Sequence, residues 1–284
     1  VDSNGKAMDA RPVNVNTRPA GDTGLNRFSW LDRFRLQKNP FRDTLDTDLF
    51  YRTRQHEEAV VKIRIGIEDR HALILLAGDS GTGKTVVSQV ALRSLEQTSV
   101  CPVFIFVYPG LGRGALLAAI LKELEVDNVG RATSDRLRQL QEKALALHAR
   151  KRRLVIVIDE AHFLKADALH LLRTLSNLET EEEKLVTVLL IGEASLVRRL
   201  NGPSYAALRG RITFSLELAP LTLEETEQYV KYRLLKCRMD SGLVPSGTYP
   251  VLHARTNGVP REINKLLYKA LLDTALAASL DIAP

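Results

Sequence analysis

From residue 71 onward, short apolar runs alternate with longer amphipathic stretches. Leu73–Ala77, Val103–Val107, Leu154–Ile158, Val186–Ile191 and Ile212–Leu218 read as strands. Between them, Val86–Leu95, Gly114–Leu124, Ser134–Ala149 and Ala166–Leu178 read as helices. Strand–helix alternation of this length predicts a parallel sheet covered on both faces. From about Pro220 the strands stop; Leu223–Lys236 and Arg261–Ala278 predict helices, with a short one around Val251–Arg255. Ahead of the first strand, Arg54–Glu68 places Ala59, Val60, Ile63 and Ile67 on one helical face. The expected organisation is a disordered tail over residues 1–29, a three-layer α/β core over 30–219 and a small all-helical subdomain over 220–284.

Candidate chemistry enters where the first strand ends. Gly78-Asp79-Ser80-Gly81-Thr82-Gly83-Lys84-Thr85 fits the phosphate-loop pattern G-x-x-x-x-G-K-[ST], with Val86 opening the helix behind it. Glycines let backbone N–H groups curl around a phosphate, and the helix N-terminus adds partial positive charge. Lys84 would reach the β- and γ-phosphates of a nucleotide, and Thr85 would hold Mg²⁺.

The strand Leu154–Ile158 runs into Asp159 and Glu160. Acids at the carboxyl end of a buried parallel strand lie where open α/β sheets bind ligands. Asp159 would hold Mg²⁺ through a water, and Glu160 would polarise an attacking water as a general base, which argues for ATP hydrolysis. His162, just beyond, would either relay nucleotide state or cap the loop. Gly258-Val259-Pro260-Arg261 opens the last long helix and puts Arg261 at a helix N-terminus, where the dipole disfavours a cation. That placement has a reason if Arg261 points across the cleft to the phosphates. Arg209, Arg211, Arg198 and Arg199 are all candidates for an arginine supplied to a neighbouring subunit.

Composition adds limits. The 284 residues are 45% hydrophobic and 26% charged, ordinary for a globular protein. No apolar run is long enough for a membrane span, and two cysteines suit a reducing, cytoplasmic compartment. The net charge of +6, with Arg131, Arg136, Arg138 and Arg150–Arg153 as the most basic region, permits an acidic partner such as nucleic acid.

Taken together, these segments resemble an AAA+ ATPase of the general secretion protein A (ExeA) type. The resemblance runs through Asn39-Pro40-Phe41 with Leu49-Phe50-Tyr51 and His56, the phosphate loop, Asp159-Glu160-Ala161, Leu175–Thr180, Arg211-Ile212, Leu218 to Tyr229, and Gly258–Arg261 with Ile263-Asn264. It covers about residues 31–275. It implies a P-loop AAA+ core with a helical lid, working as a ring or filament of self-copies. It further implies that Arg211 is a trans-acting finger, that Arg261 is sensor 2, and that backbone and side chains near Pro40 and Phe41 flank the adenine. The family usually carries Gln where this chain has Glu193; a carboxylate beside a γ-phosphate repels unless it is protonated or paired.

Secretion-type members usually continue into a membrane span and a peptidoglycan-binding domain, which these residues do not contain. Two partner classes follow. One is an envelope-assembly complex; the other is double-stranded DNA, with the protein selecting targets for a transposase.

Overall fold

The computed structural model describes residues 30–34, 36, 38–96 and 98–280. The expected tail over residues 1–29 lies outside the described residues. In chain order the elements are α1 (Trp30–Arg33), α2 (Arg54–Glu68), β1 (Leu73–Gly78), α3 (Lys84–Arg93), β2 (Val100–Phe106), α4 (Arg113–Glu123), α5 (Thr133–Ala149), β3 (Arg153–Asp159), α6 (Ala166–Leu175), β4 (Val186–Gly192), α7 (Ala194–Leu200), α8 (Ala206–Arg209), β5 (Ile212–Leu218), α9 (Leu223–Lys236), α10 (Tyr249–Thr256) and α11 (Pro260–Leu280).

The five strands form one sheet in the order β2-β3-β4-β1-β5, with every pair parallel. Strands β1 and β4 are buried along their whole length, and β3 along all but its first residue. These are the strands written as unbroken apolar runs, as two covered faces require. The edge strands differ: β2 and β5 alternate buried with exposed positions because only one face is covered. Phe104 and Phe106 stand on the open face of β2.

One cluster packs α4, α5 and α6 on one face of the sheet, and a second packs α2 and α3 on the other. This is the three-layer core that the alternation predicted. A third cluster gathers Leu36, Phe41 and Leu49 with Tyr229, Val230, Leu234, Tyr249, Leu252 and Ile263 of the C-terminal helices. The N-terminal segment is thereby packed on the helical region after β5.

Element boundaries depart from expectation in informative places. Helix α3 begins at Lys84, inside the phosphate-loop motif, two residues before the expected start. Helix α6 stops at Leu175, where the Ser176 hydroxyl bonds the Arg173 carbonyl and the chain turns into Leu178. Such local side-chain bonds compete with helix continuation. Helices α7 and α8 are short and were not anticipated; they carry the chain from β4 to β5.

Candidate functional site

The cleft lies at the carboxyl ends of the central strands, between the sheet core and the C-terminal helices. It encloses about 400 Å³, the size of a small-molecule site. Its floor is the loop Ser80–Val86, with Asp159 and Glu160 beside it. Its far wall comes from Tyr229, Arg233, Pro260, Arg261 and Asn264. Residues 42–46 and 49–51 close the third side, with Phe106 of β2 opposite.

The loop is shaped by backbone conformations that side chains disfavour. Gly81 has φ +84°, and a Cβ there would lie 2.8 Å from the Cβ of Arg261 and 3.0 Å from Val259. The loop and the first turn of α11 therefore touch through the missing side chain. Gly83 has φ +99° and is the residue on which α3 starts. The first N–H groups of α3 have no intrahelical acceptor and face the loop, as an anion site needs.

Lys84 is buried, and its ammonium donates to the carbonyls of Gly78 and Asp79, both at 2.9 Å. Burial pushes its pKa down, while the nearby Glu160, Asp159 and Glu193 carboxylates oppose that shift. Thr85 donates its hydroxyl to Asp159 Oδ2 at 2.8 Å, so the two residues expected at a metal stand together. Asp159 Oδ1 accepts from the Glu160 N–H at 2.8 Å, so both carboxylate oxygens are engaged. A hydroxyl plus one carboxylate is an oxygen-only set that suits Mg²⁺. Among the described residues no group of three or more His, Cys, Asp or Glu could hold a metal alone. The set thus fits an ion that shares its ligation with nucleotide phosphates rather than a protein cage.

Glu160 takes a left-handed backbone conformation, φ +55°. A non-glycine residue there costs roughly 1–3 kcal/mol, and such strain concentrates at working sites. The turn keeps its carboxylate half-exposed at the cleft edge. His162 lies beneath it: Nδ1 is 3.4 Å from Glu160 and Nε2 is 3.9 Å from Glu193. The ring packs on Phe163 with centroids 4.0 Å apart. One imidazole therefore stands between the expected base and the carboxylate found where the family has Gln.

Arg261 is brought to the loop, as its position at the helix start suggested. Its Nη1 donates to the Ser80 hydroxyl at 3.1 Å, its backbone N–H reaches the Gly81 carbonyl at 3.3 Å, and Asp43 lies 3.8 Å from Nε. Arg211 lies at the foot of β5, away from this chain's own cleft lining. The other basic candidates are partly accounted for. Arg209 bonds the carbonyls of Leu200 and Asn201, and Arg199 bonds the Leu164 carbonyl beside the Tyr205 ring.

Pro40 and Phe41 do not line the cleft. Asn39 caps the Phe41 N–H at 2.9 Å and turns the ring, 2% exposed, into the helical cluster behind the wall. Burial of an aromatic side chain among Leu49, Tyr229 and Val230 outweighs exposure at a polar cleft. The surface at that place is made instead by Arg42 to Asp46 and Leu49 to Tyr51.

Arg233 was missed by sequence reasoning. It is 7% exposed and donates to the carbonyls of Pro40 and Arg42 and to the Tyr229 hydroxyl, whose own proton goes to Asn264. A signal existed: Arg233 falls on the same helical face as Thr226, Tyr229, Val230 and Leu234, all buried. The basic region is also partly occupied. Arg136 braces the carbonyls of Gly130 and Gly114, Arg138 pairs with Glu142, and Arg152 bonds the Val100 carbonyl.

A parallel sheet in this order, with a phosphate loop after β1, paired acids after β3 and a helical region closing over the cleft, defines a P-loop protein of the AAA+ class. Comparison with known proteins agrees. Residues 67–200 match the AAA domain family. The chain is 34% identical over 241 residues to general secretion pathway protein A of Aeromonas hydrophila, a match covering 84% of this chain and 44% of that protein. The chain therefore spans under half the length of this relative. The chain thus has the AAA+ P-loop fold and is similar to a secretion protein A over most of its own length.

Solved structures share the fold at low identity. The ORC2 protein of Aeropyrum pernix in ADPNP–ADP complexes has TM-score 0.63 and 16% identity, over 85% of this chain and 67% of that one. Cdc6p of Pyrobaculum aerophilum has TM-score 0.63 and 19% identity, over 85% and 66%. Drosophila ORC bound to DNA has TM-score 0.65 and 17% identity, over 96% and 66%.

Proposed function

We propose that the protein is a Mg²⁺-dependent ATPase that acts as an oligomeric switch, with ATP held between the sheet core and the C-terminal helices. The observation that carries this reading is convergence. Lys84, Thr85, Asp159, Glu160 and Arg261 come from separate segments and meet at one cleft. The loop amides and Lys84 hold the phosphates; Thr85 and Asp159 hold the metal, which neutralises phosphate charge when bound. Glu160 orients and deprotonates the attacking water. Arg261 senses the terminal phosphate from the helical side.

Arg211 is proposed to complete the site of an adjacent copy. Its distance from its own cleft supports a role in trans, and turnover would then depend on assembly. Glu193 follows β4 with its carboxylate 3.9 Å from His162 Nε2, and it acts on Lys84.

The physiological partner is proposed to be an envelope-assembly complex, because the relative matched over most of this chain is a general secretion pathway protein. The DNA-associated alternative, a target selector for a transposase, rests on net charge. Several of the basic residues that supported it are committed to intramolecular bonds.

ATPase rate against protein concentration tests the mechanism. A rate per subunit that rises with concentration, and falls when Arg211→Ala is the only protein present, is expected. Glu160→Gln should bind ATP, fail to turn it over and accumulate as an oligomer; a monomeric Glu160→Gln protein with ATP would sink the switch. Double-stranded DNA in the same assay separates the partners: stimulation that fades with salt moves the reading to the DNA-associated alternative.

A further inference from the structure

His56 lies on the first turn of α2, 26 residues before Thr82, and is 4% exposed. Its two ring nitrogens are both engaged, and the partners fix which one carries the proton. The Thr53 hydroxyl caps α2 by accepting the backbone N–H of His56, so its own proton is free for another acceptor. That acceptor is His56 Nδ1, at 2.6 Å. A neutral imidazole with Nδ1 accepting carries its proton on Nε2. Nε2 lies 3.2 Å from the Thr82 carbonyl, inside the phosphate loop. The Phe50 ring packs edge-on against the imidazole, with centroids 5.6 Å apart.

The next peptide unit gives this bond a consequence. In a planar trans peptide the C=O and N–H point in opposite directions. Holding the Thr82 carbonyl on the imidazole therefore aims the Gly83 N–H to the opposite side. Gly83 has no Cβ to brace this peptide; the nearest atom to one would be His56 Nε2 itself, at 3.5 Å. The loop glycine that is free to rotate is thus restrained from outside the loop. The preceding residue, Gln55, bonds both the N–H and the carbonyl of Ala219, at 2.9 and 3.0 Å. The turn carrying His56 is in this way anchored where the chain passes from β5 towards α9.

We propose that His56 is a positioning residue for the phosphate loop: its Nε2–H holds the Thr82 carbonyl so that the Gly83 amide is set for a nucleotide phosphate before the nucleotide arrives. The inference rests on the reading of this loop as the nucleotide site. Removing the donor leaves the Thr82–Gly83 peptide free to turn, and binding must then restore its orientation at the cost of affinity.

The test measures ADP affinity by calorimetry, with the melting temperature of each nucleotide-free variant as the structural control. His56→Leu removes the donor and keeps the bulk; ADP should bind about tenfold more weakly. His56→Gln can place an amide N–H near the position of Nε2 and should bind within about threefold of the parent. Equal losses in the two variants, when both melt like the parent, would mean that the ring acts by packing alone and would overturn the proposal. Unchanged affinity in His56→Leu would also overturn it. Should His56→Leu fail to fold, His56→Gln decides: a folded glutamine variant that has lost ADP overturns the proposal. Lys84→Ala separates the two levels of argument. If it binds ADP normally, the loop is not the nucleotide site; if it loses ADP while the His56 variants do not, only the role of His56 falls.

Discussion

On the floor of the cleft, eight consecutive residues, Gly78 to Thr85, make their own shape: Thr82 bonds Asp79, Lys84 bonds Gly78 and Asp79, and Val87 bonds Gly83. The opposite wall has no such autonomy. Arg233 reaches back 193 residues to Pro40, Tyr51 meets Tyr229 and Tyr232, and Arg261 spans 181 residues to Ser80. One wall is written in a contiguous motif; the other exists only after the N-terminal segment and the C-terminal helices have packed. The local turn of the floor should therefore survive loss of the wall, with only the Thr82–Gly83 peptide depending on His56, whereas the wall should fail as a unit.

The largest effect is expected at the floor. Lys84→Ala should weaken ADP and ATP roughly a hundredfold or more, because a charge-assisted contact to phosphate is lost. The nucleotide-free melting temperature should hold or rise, since the ammonium that is removed is disfavoured by its own burial. Calorimetry and a thermal melt on one sample check both. A large fall in melting temperature would show that the floor depends on Lys84 for its shape and would break the contrast.

Next comes the wall. Arg233→Leu keeps much of the packing and leaves the carbonyls of Pro40 and Arg42 and the Tyr229 hydroxyl without their donor. Lost bonds to a buried charged group cost about 2–3 kcal/mol in total. The melting temperature should drop by several degrees, and ADP should weaken about tenfold although Arg233 belongs to no phosphate contact. Wild-type ADP affinity in a destabilised Arg233→Leu would mean that wall and floor bind independently.

This contrast also explains what could be read from the sequence. The five strands, the layering and the floor were legible because each is a local pattern: apolar runs for β1, β3 and β4, and glycines with Lys-Thr for the loop. Arg261 was legible for a different reason, its conflict with the helix dipole. The order of strands in the sheet was not read, because no local pattern encodes which strand neighbours which. The inward turn of the Phe41 ring was not legible, because Asn39 caps its N–H and the apolar cluster behind competes for it, so the cleft surface there starts at its neighbour Arg42. Arg233 was not singled out, because its burial depends on the N-terminal segment that packs over its helix face.

A smaller effect is expected at Glu193, which follows β4 beside His162. Glu193→Gln removes a carboxylate that lies near His162 and acts on Lys84. Less negative charge beside a terminal phosphate should favour ATP over ADP by a few-fold, with little change in melting temperature. Competition between the two nucleotides for a fluorescent analogue reads this ratio. An unchanged ratio would place Glu193 outside the reach of the γ-phosphate.

The smallest effect concerns pH, and it tests whether the tie between wall and floor is the neutral imidazole. Burial lowers the pKa of His56 below its ordinary 6.5, with the Thr82 carbonyl and Glu225 opposing that shift less strongly. The unfolded chain therefore takes up a proton before the folded one does. Stability linked to His56 is fully present above 6.5 and is lost as pH falls toward the lowered value. Between about pH 7 and about pH 5.5, the parent should lose melting temperature more steeply than His56→Gln, whose amide does not titrate. The difference should be small, because a single titrating group contributes it. Parallel slopes in the two proteins would mean that His56 takes up its proton alike in the folded and unfolded chain, so the folded ring would be an imidazolium below 6.5. The Thr53 hydroxyl would then have to accept from both the ring and the backbone, and Nδ1 would no longer be an acceptor that fixes the ring.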